Sequence, residues 1–445
     1  MHIAARGPIS SAEFLQGVAG ALKLQTSRWL NVKCAVFEFG SGVLESMNER
    51  YVDPKVFAGL FARNIHRLAA LDIKILGRHD GPQCDFLSMI TDMYAGQLVR
   101  FSADADLSLQ SARFSSDLAG LRLSMKPLLI QTLPKIDPRQ LQHLSLFDVV
   151  ANFEWNIFAR SKTGGQLVFK NLRELSIGYS LDSDMGAAAT PPAAQSDKHC
   201  GVQLRFPVLK RLHVFRCPRN CILLSKGIYP PKLDKAVIEC SPGVGALEKI
   251  KDLAPSKELT AILTKVDDGE MDRYYRAMNR LFSSGIISER PSLVLRTKRA
   301  VPDPERINWT CLAALNIHTY VTTTVLLGLL EKLPNLDRLD ASYLISNHRR
   351  GEVCISHGRC NNAEQSEGAP SKLKHVRLRF VLDSKLSDRD TGFVLYLMTR
   401  TEALVSLSTT SAMQSRLAKL VAKHVEQHPH LQHINLATTI KQVAV

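Results

Sequence analysis

Leucines and their aliphatic substitutes recur along this chain in the pattern Leu-x-x-Leu-x-Leu. The clearest copies are Leu68/Leu71/Ile73, Leu118/Leu121/Leu123, Leu141/Leu144/Leu146, Leu172/Leu175/Ile177 and Leu209/Leu212/Val214 in the first half. Leu312/Leu315/Ile317, Leu336/Leu339/Ala341, Leu373/Val376/Leu378 and Leu431/Ile434/Leu436 follow in the second. Weaker copies start at Leu98, Leu233 and Leu404. Successive first leucines are 20 to 37 residues apart, except for one gap of 79 that fits about three units and holds an eroded copy at Leu259/Ile262. Self-similarity at this period is the mark of a repeat architecture.

The spacing dictates the local structure. The second and third apolar positions are two apart, so they share one face of a short strand while the residues between them face the other way. Such a strand cannot bury its apolar side alone, and consecutive units must stack into a parallel sheet. Parallel strands need crossovers, and several of the intervening segments read as helices. Leu326, Leu329, Leu330 and Leu333 form a helical stripe closed by Pro334-Asn335. Leu417, Leu420, Val421 and Val425 form another within residues 415–427, closed by His428-Pro429. Asp53-Pro54 caps a third, with Phe57, Leu60, Phe61 and Ile65 on its apolar face. The predicted fold class is α/β: a leucine-rich-repeat solenoid, or horseshoe, with a curved parallel sheet, outer helices and degenerate repeats. Residues 1–60 are read as an N-terminal cap of helix and strand, and 61–445 as the solenoid. Polar or Ala/Pro-rich loop insertions are placed at 181–201 and 347–371. An ordinary α/β domain with leucine-rich strands is the alternative.

Two runs carry a resemblance to a known family: Phe206-Pro207-Val208-Leu209-Lys210-Arg211-Leu212-His213-Val214 with Cys217-Pro218, and Leu333-Pro334-Asn335-Leu336-Asp337-Arg338-Leu339. They resemble the leucine-rich repeats of fungal F-box-like proteins, of the ribonuclease-inhibitor-like class. The resemblance extends from about residue 60 onward. It implies repeats that capture a substrate for a cullin-type ubiquitin ligase, and an F-box that holds the ligase adaptor. The segment ahead of the first predicted strand, near Val32, contains no recognisable F-box.

Composition narrows the classes. Hydrophobic residues make up 45% and charged residues 22% of the 445, the balance of a folded protein. The formal charge of +15 favours acidic partners through long-range attraction. The basic residues form no Lys/Arg block and no RRM or zinc-finger spacing, which argues against nucleic acid as a partner. Nine irregularly placed cysteines argue against a secreted disulfide framework. No apolar run has the length of a membrane span, and no secretory signal opens the chain, so the expected address is intracellular, cytoplasmic or nuclear, with no membrane partner. Arg6, Lys23 and Arg28 in an acid-poor start are the one feature shared with a mitochondrial presequence.

Catalytic signatures are weak. Gly243-Val244-Gly245 follows a strand-like run, but Glu248 occupies the third glycine position of a nucleotide-binding loop, where a carboxylate repels phosphate. Cys354, His357 and Cys360 have ligand-like spacing and His348 is nearby, yet no second ligand pair follows, and no metal or cofactor is expected. Outward strand positions are the better candidate surface. The partner-binding set is Arg122, His143, Arg211, His213, Phe215, Arg338, His375, Arg377 and Arg379 on the concave face. Lys74, Arg100, His318 and His433 share the outward parity, against Asp72, Asp104, Glu174, Glu239 and Asp340. The expected function is non-catalytic recognition of an acidic protein surface, as a ubiquitin-ligase substrate receptor, a relic of one, or a scaffold. Histidines on that face would charge near or below pH 6.5 and strengthen such binding on acidification. An α/β enzyme with a site assembled across the chain and a nucleic-acid-binding protein remain the alternatives.

Overall fold

The computed structural model describes residues 1–5, 16–17, 20, 32–40, 55, 59, 61–63, 65–76, 85–109, 111–150, 153, 155–158, 166–180, 203–217, 233–240, 256–264, 271–283, 288–296, 303–345, 372–380 and 388–438. The chain divides into two compact units, Met1–Phe215 with Lys226–Lys232, and Arg216–Ser225 with Leu233–Val445.

The first unit is built on parallel strands paired in chain order. They are β1 (His2–Ala5), β2 (Cys34–Gly40), β3 (Ala70–Leu76), β4 (Arg100–Ala103), β5 (Gly120–Ser124), β6 (His143–Val149), β8 (Glu174–Tyr179) and β10 (Arg211–Cys217). A separate parallel pair is formed by β7 (Gln166–Val168) and β9 (Gln203–Arg205). Crossovers carry helix α1 (Asp85–Tyr94) and the short α2 (Pro127–Ile130). After β6 the crossover holds an aromatic 3-10 turn at Trp155–Phe158. Trp155, Phe158, Phe169 and Phe206 bury their rings together, with centroids 5.2 to 6.3 Å apart.

The second unit repeats the plan with β11 (Lys235–Cys240), β12 (Ser256–Leu263), β13 (Ser288–Leu295), β14 (Ala314–Thr322), β15 (Arg338–Ile345), β16 (His375–Phe380), β17 (Ser406–Thr409) and β18 (Asn435–Thr438). Each pairs in parallel with the next. Its helices are α3 (Met271–Ser283), α4 (Thr323–Glu331), α5 (Asp388–Arg400) and α6 (Ser411–His424). Each unit is thus an α/β structure of sequential parallel strands.

Hydrogen bonding explains why Leu-x-x-Leu has its spacing. The amide of the first leucine often closes a tight turn onto the carbonyl three residues earlier, as in Leu98 to Ala95, Leu172 to Phe169, Leu209 to Phe206 and Leu336 to Leu333. The two following amides then fork onto the carbonyl of the residue just ahead of the preceding strand. Gln142 and His143 both donate to Ala119, Lys210 and Arg211 to Arg173, and Lys374 and His375 to Asp337. The intervening x-x residues therefore anchor each strand to its neighbour, and the next apolar residue begins the inward row. First leucines at 68, 98, 118, 141, 172, 209, 233, 312, 336, 373, 404 and 431 are all buried. Burying each contributes about 1.5–3 kcal/mol.

The inward rows match across strands. Leu121, Leu144, Leu175 and Leu212 are successive partners, and so are Leu123, Leu146, Ile177 and Val214. In the second unit Leu315, Leu339, Val376, Leu407 and Leu436 continue one row.

Particular sequence expectations shift. Leu436, read as a third position, occupies a second position opposite Leu407. A 3-10 turn at Pro429–His433 absorbs the two-residue offset, and Asn435, not Gln432 or His433, donates to the Val405 carbonyl. His433 therefore lies in that turn and not on a strand. Leu259, read as a first position, is likewise a strand residue paired with Ala236 and Pro291. The long gap contains three strand-to-strand steps, from β11 through β12 and β13 to β14. The 415–427 helix starts earlier, at Ser411. The 325–333 stripe is α4, whose N-cap Thr322 accepts from the Val325 amide through its side chain at 3.3 Å. The insertions at 181–201 and 347–371, the helix cap at Asp53-Pro54, and Phe57 and Leu60 lie outside the described residues.

Candidate partner-binding face

Because every strand alternates inward and outward side chains, equal registers place the outward residues in rows across the sheet. In the first unit one row runs Ala70, Arg100, Gly120, His143, Glu174, Arg211, and the next Asp72, Ser102, Arg122, Ser145, Ser176, His213. A third row holds Phe147, Gly178 and Phe215 on neighbouring strands. The sequence-derived candidates Arg122, His143, Arg211, His213 and Phe215 thus stand side by side on one face, the first three exposed and the last two half-buried.

Local backbone geometry fixes the aromatic row. Asp148 and Arg216, each directly after an outward phenylalanine, have φ of 54° and 52°, the left-handed region. At Asp148 the register with β8 shifts between Leu146 and Val149, so an extra residue is accommodated there as a bulge. Ser124 donates to the Asp148 carboxylate at 2.7 Å and holds the bulge in place. Val149 and Cys217 then turn back into the core. Gly178 leaves room for the Phe147 ring, since a Cβ there would lie 3.2 Å from it and the ring would have to give by a few tenths of an ångström. The Arg122 guanidinium lies over Phe147, 4.9 Å from its centroid, and His213 meets Phe215 edge-on at 6.2 Å.

In the second unit the rows run Ala314, Arg338, His375, Ser406 and Asn316, Asp340, Arg377, Ser408. Arg338 and His375 are exposed; Arg377 and Arg379 are half-buried. His375 Nδ1 lies 2.9 Å from Ser406 Oγ, and Arg377 lies 3.6 Å from the Asp340 carboxylate. On β12 and β13 the same parity passes from Glu258 and Arg290 through Thr260 and Ser292 to Ile262 and Val294, and the last two are buried.

Charge is unevenly divided. In the first unit outward Lys74, Arg100, Arg122 and Arg211 are balanced by Glu38, Asp72, Asp104 and Glu174, with ion pairs at Lys74–Asp72 (3.2 Å) and Arg211–Glu174 (3.8 Å). In the second unit Lys235, Arg290, Arg296, Arg338, Arg377 and Arg379 outnumber Glu239, Glu258 and Asp340, so the positive surplus is concentrated there. His318 stands in the middle of this surplus. Loss of solvation lowers its pKa from the ordinary histidine value; Asp340 opposes the shift, and Arg296, Arg379 and Arg377 reinforce it.

The outward parity of Phe147, Arg296 and Lys235 was not recognised in sequence. The aligned runs His143–Val149 and Arg211–Cys217 give the signal for Phe147, which occupies the position of Phe215. Arg296 was missed with its strand β13, which lacks a leading leucine and contains Pro291.

Neither a protein-family model nor a curated protein matches this chain. Among the described residues no group of three or more His, Cys, Asp or Glu side chains is placed to hold a metal ion. Cys354, His357, Cys360, His348 and the Gly243–Gly245 run lie outside the described residues. Among the described residues Cys34, Cys217, Cys240 and Cys311 are not in disulfides. No helix among the described residues is long and apolar enough to cross a membrane.

Proposed function

We propose that this protein is a degenerate leucine-rich-repeat solenoid, curved as a horseshoe, that works as a non-catalytic recognition module. Its concave strand face binds a protein partner with an acidic surface. The observation that carries this reading is the register of the outward rows: charged, hydroxyl and aromatic side chains from consecutive strands fall side by side into an extended surface. Repeat arrays use such surfaces to engage long stretches of a partner. Phe147 under Arg122, with Phe215 two strands further along the same row, supplies the aromatic and arginine anchors that dominate protein interfaces, while the arginine surplus of the second unit supplies attraction to acidic groups.

The test compares proteins retained from a native extract by the intact chain, by a face variant (Arg122→Glu, Arg211→Glu, Arg338→Glu) and by a helix variant of equal charge change (Lys419→Glu, Lys423→Glu, Arg416→Glu). A set of proteins retained by the first and third and lost from the second supports the reading; identical retention by all three refutes it. Adaptor and cullin subunits within that set point to the ligase-receptor role that the F-box-like resemblance implies. Their absence removes that role and leaves the recognition face.

A further inference from the structure

The arginines around His318 form a compact group with its own chemistry. Arg296 follows β13, His318 is on β14, Ser342 and Asp340 are on β15, and Arg377 and Arg379 are on β16. All point to the outward face, and neighbouring parallel strands are about 4.8 Å apart, so long side chains from four adjacent strands reach one spot. Ser342 Oγ lies 3.2 Å from His318 Nδ1 and donates to Asp340 at 3.3 Å. Only Arg377, among the three arginines, has a carboxylate partner within the described residues, namely Asp340 at 3.6 Å. The Arg379 Nε is buried with no hydrogen-bond partner. With three guanidiniums, one carboxylate and an imidazole, the described groups carry a surplus of two positive charges when His318 is neutral.

Guanidinium groups offer fixed forks of donors suited to tetrahedral oxyanions, and a buried unmatched donor is costly until an acceptor arrives. We propose that Arg296, Arg377, Arg379 and His318 form a binding site for a tetrahedral dianion, of which a phosphomonoester group is the chemical type. A dianion cancels the local surplus, whereas a single carboxylate cancels half of it. The Ser342 hydroxyl supplies one more hydrogen bond. This site stands independently of the protein-recognition reading, because a small anion tests it without any partner.

Ligand occupancy is coupled to His318. Its imidazole faces Arg296 from β13, Asp340 and Ser342 from β15, and Arg377 and Arg379 from β16. In the free protein the arginines disfavour its proton; a bound dianion reverses that local field and favours it. Sulfate remains doubly charged across the neutral and mildly acidic range, so its affinity should rise as pH falls through the His318 titration.

The experiment is calorimetric titration of the full chain with inorganic phosphate, sulfate, O-phosphoserine and acetate, together with NMR titration of the His318 ring. Saturable binding of phosphate and sulfate, at least about tenfold tighter than acetate, is expected, because each charge-assisted bond contributes roughly a tenfold factor or more. Arg296→Gln and Arg379→Gln should each weaken sulfate about tenfold and raise the free-state His318 pKa; Arg296 is exposed, so its variant keeps the fold even if the Arg379 variant does not. O-phosphoserine binding more tightly than inorganic phosphate identifies a phosphorylated side chain as the source, and the reverse order identifies a free oxyanion. Equal affinity for acetate, or unchanged sulfate affinity in Arg296→Gln with an unmoved His318 titration, overturns the proposal.

Discussion

Asp148 offers a quantitative test of how the aromatic row is held. It has φ of 54° and accepts a 2.7 Å hydrogen bond from Ser124, which is itself buried. Left-handed backbone costs an ordinary L-residue about 1–2 kcal/mol, and a β-branched side chain fits it worst. Removing the carboxylate also strips the buried Ser124 hydroxyl of its acceptor, at about 1–3 kcal/mol. Asp148→Val combines both effects and should destabilise the first unit by about 2–5 kcal/mol. Asp148→Gly relieves the backbone but loses the acceptor, so it should cost only about 1–2 kcal/mol. Asp148→Asn keeps an acceptor and tolerates the conformation, and should stay within about 1 kcal/mol of the parent. Urea unfolding followed by circular dichroism gives the order of midpoints, with an unchanged slope required for the comparison. A valine variant as stable as the glycine variant would refute the bulge argument.

Other consequences are equally accessible. Leu144→Ala empties a fully buried position between Leu121 and Leu175 and should cost about 2–5 kcal/mol in thermal or urea unfolding. Thr322→Ala removes the N-cap acceptor of α4 and should cost about 0.5–2 kcal/mol, with faster hydrogen exchange at the start of that helix. His428 has its pKa lowered by loss of solvation, and then by His430, His424 and Arg400. The unfolded chain therefore takes up its proton first, so stability present above the ordinary histidine pKa is lost as pH falls below about 6.5. His428→Gln should flatten the pH dependence of the unfolding midpoint in that window; an unchanged slope would contradict the assignment.

How far the sequence could be read depends on which physical signal each element carries. Strands that begin with Leu-x-x-Leu were legible because the turn-closing leucine and the forked x-x amides impose the spacing, as at Leu209–Leu212 and Leu336–Leu339. β13 was not, since a proline fills its second apolar position and no leucine closes its turn. β1 is a four-residue strand whose neighbour in the sheet lies some thirty residues away, so nothing local announces it. Helix α3 hides its apolar stripe in Tyr274, Met278, Leu281 and Phe282, residues outside the leucine pattern. The outward face followed from parity wherever register held, and failed at His433, where the 3-10 turn changes the register by two. The convergence of Arg296 with Arg377 and Arg379 on His318 was invisible for a different reason: it joins residues more than eighty positions apart through strand pairing.

Site-specific photo-crosslinking tests the recognition face most directly. A photoreactive residue is placed singly at Ser145, Phe215, Asn316 and Ser408 on the outward rows, and at Arg276, Lys419 and Lys423 on exposed helix surfaces. The expected result is a common protein adduct formed in extract from the strand positions and from none of the helix positions. An adduct formed from the helices and absent from every strand position would contradict the assignment of the strand face as the binding surface.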